Sequence, residues 1–238
     1  MTSNEEWQTL AVDYERARAR EDSLDRLMEW DAQRELIGSV VGKDLLDVGC
    51  GNGEKAIELA LNGASSVVGV DIGSAFRTPP ANVTLTTGDL SELGSVAVVQ
   101  GRQFDVVLFL QSLGYATDQL RTLRAARSLL RDDGVLVVSR AHPIRFAVER
   151  AERDGLELGD AYHSTEGYSY PAHWNPGITL THATDTLSSM HNALVEAGFR
   201  VERIMEPQLS EEKKVAYPAK QAWLARYFGI VVFRARPL

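Results

Sequence analysis

Short apolar runs alternate with amphipathic segments through the middle of the chain. Runs with the length and composition of buried strands lie at 44–48, 67–70, 83–86, 104–110 and 135–139. Between the last two, residues 119–130 place Leu120, Leu123 and Leu130 at helical spacing. Strands separated by helices predict an α/β fold with a doubly wound, mostly parallel sheet.

The pattern changes on both sides of this region. Residues 5–37 predict helix, so that 1–40 form an N-terminal helical segment. After Ala141 the alternation stops, and residues 142–182 are rich in Gly, Pro, Tyr, His and Trp without a clear period. We interpret this segment as an insertion after the fifth strand.

The last part of the chain returns to a regular pattern. A helix at 187–197 ends at Gly198, a residue type common just after helices. Strands follow at 200–205 and 228–234, with about twenty irregular residues between them. The chain is therefore predicted to form a single domain, 1–238, with seven strands.

One glycine-rich turn follows the first predicted strand. Residues 45–54 read Leu-Leu-Asp-Val-Gly-Cys-Gly-Asn-Gly-Glu. Glycines permit a tight turn and a close approach to a ligand, and the helix that starts there has unpaired N–H groups. Such a turn alone also suits a dinucleotide pyrophosphate. Asp47 would repel a pyrophosphate, however, and the Gly-x-Gly-x-Gly spacing is tighter than the dinucleotide pattern.

The turn resembles the first motif of class I S-adenosylmethionine-dependent methyltransferases. Asp71, in Val-Gly-Val-Asp after the second strand, matches the acidic residue that holds the ribose hydroxyls in that family. Asp89 follows the third strand, where the family often has a carboxylate near the adenine. The resemblance covers about 14–238 and is specific within 45–141.

The resemblance implies S-adenosylmethionine as the cofactor. It also implies that the last of the seven strands is antiparallel. Contacts with the cofactor are expected from Tyr14, Asp47, Gly49, Cys50, Gly51, Asp71, Ile72, Asp89, Leu90, Leu110 and Gln111.

The acceptor is expected to be a small molecule, an aromatic or amine natural-product intermediate. Residues 110–115, after the fourth strand, lack the Asn/Asp-Pro-Pro-aromatic motif of methyltransferases that act on base amines. The aromatic content of 142–182 predicts a substrate lid over a planar or apolar molecule. The residues concerned are Tyr162, His163, Tyr168, Tyr170, His173 and Trp174.

Three residues are candidates for the acceptor chemistry. His142 follows the fifth strand at the carboxyl edge of the sheet, where ligands of such folds bind, and His182 ends the insertion. Either is a candidate base, because histidine has a reference pKa near 6.5. Tyr115 is expected to line the acceptor pocket. An acceptor without a departing proton would need neither histidine.

Composition restricts the partners further. The net charge of −8 argues against nucleic acid, whose phosphates require clustered Lys and Arg. No apolar run reaches the roughly 18 residues of a membrane span, and the polar start MTSNEEW predicts no signal peptide. Cys50 is the single cysteine, which excludes an internal disulfide and predicts no metal cluster. We expect a cytoplasmic monomer or homodimer.

Two other functions compete with methyl transfer. A nicotinamide-dependent reductase of the short-chain type needs Tyr-x-x-x-Lys, and the segment Tyr217-Pro218-Ala219-Lys220 is one residue short and contains proline. A non-catalytic S-adenosylmethionine-binding module would be recognised by lost cofactor motifs. Asp47, Asp71 and Asp89 are all present, which favours an enzyme.

Overall fold

The computed structural model describes residues 3–172 and 175–238. Its strands are β1 (Asp44–Val48), β2 (Ser66–Asp71), β3 (Val83–Thr87), β4 (Phe104–Leu110), β5 (Leu130–Ala141), β6 (Tyr168–Ala172), β7 (Asn175–His182), β8 (Phe199–Met205) and β9 (Ile230–Pro237). The main sheet has the order β3-β2-β1-β4-β5-β9-β8, and β9 is antiparallel to both neighbours. This confirms the predicted doubly wound, mostly parallel seven-stranded sheet with an antiparallel last strand.

Helices cover both faces of this sheet. They are α1 (Ser3–Arg18), α2 (Trp30–Ile37), α3 (Glu54–Leu61), α4 (Gln119–Leu129), α5 (Pro143–Asp154), α6 (Leu158–His163), α7 (Leu187–Glu196), α8 (Glu211–Ala216) and α9 (Pro218–Tyr227). Side chains of α4 and α7 pack on one face, and those of α2 and α3 on the other. Among the described residues, no helix is long and apolar enough to cross a membrane.

Successive side chains of the central strands enter two different apolar clusters. Val107 and Phe109 of β4 join one cluster, whereas Val106 and Leu108 join the other. A strand buried on both faces needs a continuous apolar run, which is the pattern of 104–110. Because both faces of these strands are apolar, polar groups that could bind a ligand are expected at the strand ends.

The N-terminal segment is interrupted, which corrects the prediction of one helix over 5–37. α1 ends at Arg18, and a π-helical turn, Asp25–Glu29, leads into α2. The hydroxyl of Ser23 donates to the carbonyl of Arg18 at 2.8 Å, occupying an acceptor that the next helical turn would use. The intervening residues 19–22, Ala-Arg-Glu-Asp, contain no large apolar side chain to hold a continuous helix on the core.

The insertion folds into helices α5 and α6 and the antiparallel hairpin β6–β7, where the sequence showed no period. The hairpin forms a two-stranded sheet of its own and packs against α1. Leu10 of α1 is fully buried in a cluster with Ala172 and Leu180. The side-chain amide of Asn175 donates to Asp13 at 3.1 Å. The insertion therefore supports the N-terminal helix.

The C-terminal part differs from the prediction in two places. β9 begins at Ile230 rather than at residue 228, because Phe228 and Gly229 adopt left-handed φ values of 65° and 78°. The link expected to be irregular contains α8 and α9. Both helices lie wholly in the described part of the chain and have no buried residue, so the sequence lacks the apolar stripe that reveals a helix.

A buried ion pair joins the end of β5 to the segment after β7. Arg140 is 3% exposed, and its Nη1 donates to Asp185 at 2.7 Å and to Gln119 at 2.6 Å. Its Nη2 donates to the carbonyl of Ala183 at 3.0 Å. Burial lowers the pKa of this guanidinium, and the adjacent Asp185 opposes that shift. One cation thus connects the main sheet, the start of α4 and the end of the insertion.

Removal of Asp185 should destabilise the fold. Asp185→Ala leaves Arg140 without its carboxylate, and breaking a buried pair costs about 3–5 kcal/mol. We expect the free energy of unfolding, measured by urea denaturation, to fall by about 3 kcal/mol. Asp132→Ala is the matched control, because it removes a fully exposed carboxylate beside Arg127 and should leave the midpoint unchanged. A loss below about 1 kcal/mol for Asp185→Ala would mean that neutral partners suffice for Arg140.

Candidate functional site

A cavity of about 310 Å³ opens at the carboxyl edge of β1, β2 and β4. The strand order reverses between β1 and β4, the place where open α/β sheets bind ligands. Loops after the strands form one wall and α1 forms the other. The strand-side lining includes Gly49, Gly51, Asn52, Asp71, Ile72, Gly73, Asp89, Leu90, Leu110, Gln111, Ser112 and Tyr115. The helix-side lining consists of Trp7, Ala11, Val12, Tyr14, Glu15 and Arg18.

Packing as well as backbone conformation fixes the glycine turn after β1. Gly49 and Gly53 have φ values of 77° and 84°. A Cβ at Gly49 would lie 2.2 Å from the Cβ of Ser112. The amides of Gly49 and Cys50 donate to the carbonyl of Val70 at 2.7 and 3.1 Å. Side chains are therefore excluded at Gly49, and the bare backbone lies directly on the cavity.

Asp71 presents its carboxylate to the cavity between two loops. Oδ2 accepts from the amide of Gly51 at 2.7 Å, and Oδ1 accepts from the amide of Gly73 at 2.8 Å. Because a carboxylate oxygen has two lone-pair positions, each oxygen can accept one more hydrogen bond. Burial raises the pKa of Asp71, and the two amides oppose that shift. The group is oriented to receive two neighbouring donors.

Asp47 and Cys50 lie beneath the turn, outside the cavity wall. Asp47 is 1% exposed, and its Oδ1 has no hydrogen-bond partner among the described residues. Burial raises the pKa of this carboxyl to about 7, and the nearby Lys55 opposes the shift. The sulfur of Cys50 lies against Gly69, and burial raises the pKa of its thiol. Asp47 therefore acts on the cavity through its field, and Cys50 fills space.

Ile72, Asp89 and Leu90 lie together at the end of the cavity formed by the loops after β2 and β3. Oδ1 of Asp89 accepts from the amide of Ser91 at 2.8 Å, which caps the 3₁₀ turn that follows. Apolar side chains beside a single carboxylate suit a planar ring that carries a donor. Among the described residues, no group of three or more His, Cys, Asp or Glu could hold a metal ion.

The helix wall contains residues that the sequence analysis missed. Tyr14 was expected there, whereas Trp7, Glu15 and Arg18 were not. Glu15 accepts from the side-chain amide of Asn52 at 2.9 Å, and this bond ties α1 to the glycine turn. Arg18 donates to the carboxylate of Glu54, the first residue of α3, at 3.0 Å. In the sequence, Glu15 and Arg18 look like the solvent-exposed charged residues around them. Only their contacts in the folded structure show that they belong to the cavity wall.

The other end of the cavity is aromatic. Gln111 follows β4 with a left-handed φ of 65°, and its amide donates to the carbonyl of Ser139 at 3.0 Å. The Tyr115 ring packs edge-to-face on Trp7 and on His182, with centroid distances of 5.0 and 4.9 Å. Burial raises the pKa of Tyr115, so its phenol stays protonated. This end suits an apolar or planar ligand.

His142 is placed away from the cavity. Its Nδ1 accepts from the amide of Ile144 at 3.2 Å and caps α5. Its Nε2 lies 2.7 Å from the carboxylate of Glu206, and the ring stacks on Phe228 at 5.1 Å. Both ring nitrogens therefore have protein partners, and neither His142 nor these partners line the cavity.

His182 does not line the cavity but packs edge-to-face on Tyr115, which does. Its Nδ1 lies 2.8 Å from the carbonyl of Ala183, so this nitrogen carries the proton and donates. Burial, with help from Arg140, lowers the pKa of His182 to about 3. At neutral pH its Nε2 is a weak base, because efficient general bases titrate near the working pH.

The aromatic residues of the insertion pack on one another and on neighbouring elements, and Tyr170 packs on the cluster that contains Leu10 of α1. Tyr168 and Tyr170 stack with a centroid distance of 5.7 Å. The Tyr162 hydroxyl accepts from the amide of Leu187 at 3.0 Å, and His163 packs edge-on against the Tyr162 ring. No described residue within 142–182 lines the cavity. The expected lid residues His173 and Trp174 lie outside the described residues.

Comparison with known proteins identifies the family to which this chain belongs. A family model for a methyltransferase domain matches residues 12–204. An uncharacterized protein of Haemophilus influenzae is 25% identical over 213 residues, which is 84% of each chain. A ubiquinone biosynthesis O-methyltransferase of Acinetobacter baumannii is 27% identical over 165 residues, which is 63% of this chain and 69% of the relative.

A solved structure shows the same relationship in three dimensions. The crystal structure of an S-adenosylmethionine dependent methyltransferase from Mesorhizobium loti superimposes with a TM-score of 0.71 and 26% identity. The match covers 87% of this chain and 97% of that chain. The chain therefore belongs to the methyltransferase-domain family, which confirms its resemblance to the class I S-adenosylmethionine-dependent methyltransferases.

Proposed function

We propose that the protein transfers a methyl group from S-adenosylmethionine to a small organic acceptor. The observation that carries the proposal is the Asp71 carboxylate, which the amides of Gly51 and Gly73 fix on the cavity wall. Its two remaining acceptor positions suit the vicinal hydroxyls of a ribose. Ile72 and Leu90 would then pack on the adenine, and Asp89 would accept from its amino group.

The glycine-turn end of the cavity suits the amino-acid part of the cofactor. The buried carboxyl of Asp47, whose Oδ1 has no partner among the described residues, provides a negative field when ionised, beneath a turn that admits close approach. This field would attract an ammonium group. A pyrophosphate would meet the carboxylates of Asp47 and Asp71, and the guanidinium on the opposite wall, Arg18, is already surrounded by protein carboxylates. These charges count against the nicotinamide-dependent reductase.

S-adenosylmethionine supplies a methyl group that its sulfonium already activates towards nucleophiles. The work left to the protein is to align the acceptor and exclude water. Trp7 stands edge-to-face with Tyr14 at 5.3 Å and with Tyr115 at 5.0 Å, which gives the Gln111 end of the cavity apolar walls. Aromatic faces also attract cations, so these rings favour the charged cofactor.

The acceptor site is proposed to lie beside Tyr115, with the insertion as its outer support. Tyr170 hydrogen-bonds Tyr115, and Phe146 packs on His182 at 5.0 Å. An aromatic surrounding of this kind suits a planar acceptor. The ubiquinone biosynthesis O-methyltransferases among the relatives support oxygen as the accepting atom, and amines are the second class to test.

The direct test is transfer of labelled methyl groups. The full chain is incubated with methyl-labelled S-adenosylmethionine and a panel of phenols, catechols and primary and secondary amines. We expect label in at least one class, with one S-adenosylhomocysteine formed per methyl transferred. Tight cofactor binding without transfer to any class would favour the non-catalytic binding module. Absence of cofactor binding would contradict the proposal.

Asp71→Ala should weaken cofactor binding. Hydrogen bonds to a charged group contribute about 1.5–3 kcal/mol each. The affinity for S-adenosylhomocysteine, measured by isothermal titration, should therefore fall at least about tenfold. Glu92→Ala is the matched control, because Glu92 is an exposed carboxylate that pairs with Arg121 and does not line the cavity. If wild type and a folded Asp71→Ala variant bind S-adenosylhomocysteine with equal affinity, Asp71 does not contribute to cofactor binding.

Asp47→Asn should gain stability while losing cofactor affinity. The native carboxyl has a pKa of about 7, and the unfolded one of about 3.9. Between these values the native state holds a proton that the unfolded state has lost, so wild-type stability falls as pH rises through this window. The variant lacks this dependence, and its advantage in urea denaturation should grow by up to about 1.4 kcal/mol per pH unit. A difference in unfolding free energy between Asp47→Asn and wild type that stays constant across this pH range would show that native Asp47 is ionised throughout it.

A further inference from the structure

The carboxylate of Glu15, on the α1 side of the cavity, has two oxygens in different situations. Oε2 accepts from the side-chain amide of Asn52 at 2.9 Å. Oε1 is buried and has no hydrogen-bond partner among the described residues. Buried polar atoms in folded proteins are nearly always hydrogen-bonded, so an exception needs an explanation. On the wall of a cavity, a ligand that donates to this oxygen is such an explanation.

Oε1 of Glu15 lies opposite the glycine turn. A Cβ at Gly51 would lie 3.1 Å from this oxygen, so the two walls of the cavity approach each other closely here. Gly51, Asn52 and Glu15 all line the cavity. Because Gly51 has no side chain, the space beside Oε1 stays open to a small group. This is the end of the cavity to which the amino-acid part of the cofactor is assigned above.

Arg18 compensates the charge of Glu15 only in part. Its Nη1 lies 3.8 Å from Oε1 of Glu15, near the outer limit of an ion pair. Its Nη2 lies 3.0 Å from Glu54, and its Nε lies 3.6 Å from Asp25. One guanidinium is thus shared among three carboxylates. Burial raises the pKa of Glu15, and Arg18 opposes that shift. A second cation beside Oε1 would further stabilise the ionised carboxylate.

Asp47 cannot make a direct contact with a ligand in the cavity. It is 1% exposed, lies beneath the turn and does not line the cavity. When ionised, it therefore acts on a ligand from a distance. The Glu15 side chain lies on the opposite wall and is 19% exposed, which leaves it within reach of a ligand. A cationic group between Gly51 and α1 would be attracted from both sides.

We propose that Glu15 accepts a hydrogen bond from the ammonium group of the cofactor. This inference rests on the proposed function. An ammonium has three N–H donors, and one of them would fill the vacant position on Oε1. The terminal torsion of a glutamate side chain has a broad range, so a small rotation turns Oε1 towards the cavity while Oε2 stays with Asn52. Glu15 is thereby a specificity-determining residue for the amino-acid part of the cofactor.

The charge of Glu15 acts with opposite sign on the two charged groups of that amino-acid part. It attracts the ammonium and repels the carboxylate. A ligand that keeps the carboxylate but lacks the amino group experiences only the repulsion. The site is therefore expected to disfavour such a ligand, and this selectivity should disappear with the charge of Glu15.

Isothermal titration of the full chain with two ligands tests the inference without an acceptor. One ligand is S-adenosylhomocysteine, and the other is its analogue that lacks only the amino group. Wild type should bind S-adenosylhomocysteine at least about tenfold more tightly at neutral pH, as expected for a hydrogen bond between charged groups.

Glu15→Gln separates a ligand contact from a support of the wall. The variant keeps a side-chain oxygen for Asn52 but loses the charge. Its affinity for S-adenosylhomocysteine should fall about tenfold or more, whereas its affinity for the analogue should stay equal or rise. Glu21→Gln is the matched control, because Glu21 is exposed, follows α1 and does not line the cavity. Both of its affinities should equal those of wild type.

Three results would overturn the inference. The first is a wild-type protein that binds the two ligands equally well. The second is a Glu15→Gln variant that loses affinity for both ligands to the same extent, which would make Glu15 a support for α1. The third is a Glu15→Gln variant with unchanged affinities. Each of these, with tight binding of S-adenosylhomocysteine by wild type, would defeat the inference alone. A wild-type protein that binds neither S-adenosylhomocysteine nor S-adenosylmethionine would defeat the proposed function as well.

Discussion

The backbone of the glycine turn is the constraint on which the rest of the site depends. A Cβ at Gly49 would lie 2.2 Å from that of Ser112, so the ends of β1 and β4 can approach only if this position is bare. The same turn directs the amide of Gly51 to Asp71 at 2.7 Å. That contact, together with the amide of Gly73, orients the carboxylate on which cofactor recognition is proposed to rest. It also leaves Asp47 buried beneath the turn, at a cost in stability that a bound cation would offset.

A second level of organisation lies in the N-terminal helix. α1 forms a whole wall of the cavity, although it is remote in sequence from the motifs after the strands. It is tied to the turn through Glu15 and Asn52 and is supported from outside by the β6–β7 hairpin through Leu10. The insertion thus contributes to the site by holding α1 and Tyr115 in place. A change in the hairpin should therefore reach the cavity through α1.

Much of the fold could be read from the sequence, because strands buried on both faces require apolar runs and a tight turn requires glycine. The position of Asp71 could be read in the same way, since its motif is contiguous. Arg18 could not be distinguished, because it lies among other charged residues and reaches the cavity and Glu54 only through contacts distant in sequence. His142 was favoured by its place after β5, but the sequence does not show that Glu206 and the start of α5 occupy its ring nitrogens.

We infer that the carboxyl edge recognises an adenosyl group joined to a cationic amino acid, with no phosphate between them. Isothermal titration of the wild-type chain with S-adenosylhomocysteine and, separately, with NAD tests this claim most directly. We expect S-adenosylhomocysteine to bind with a micromolar Kd or tighter, roughly −8 kcal/mol or better, and NAD to give no heat of binding. Binding of NAD without binding of S-adenosylhomocysteine would contradict it.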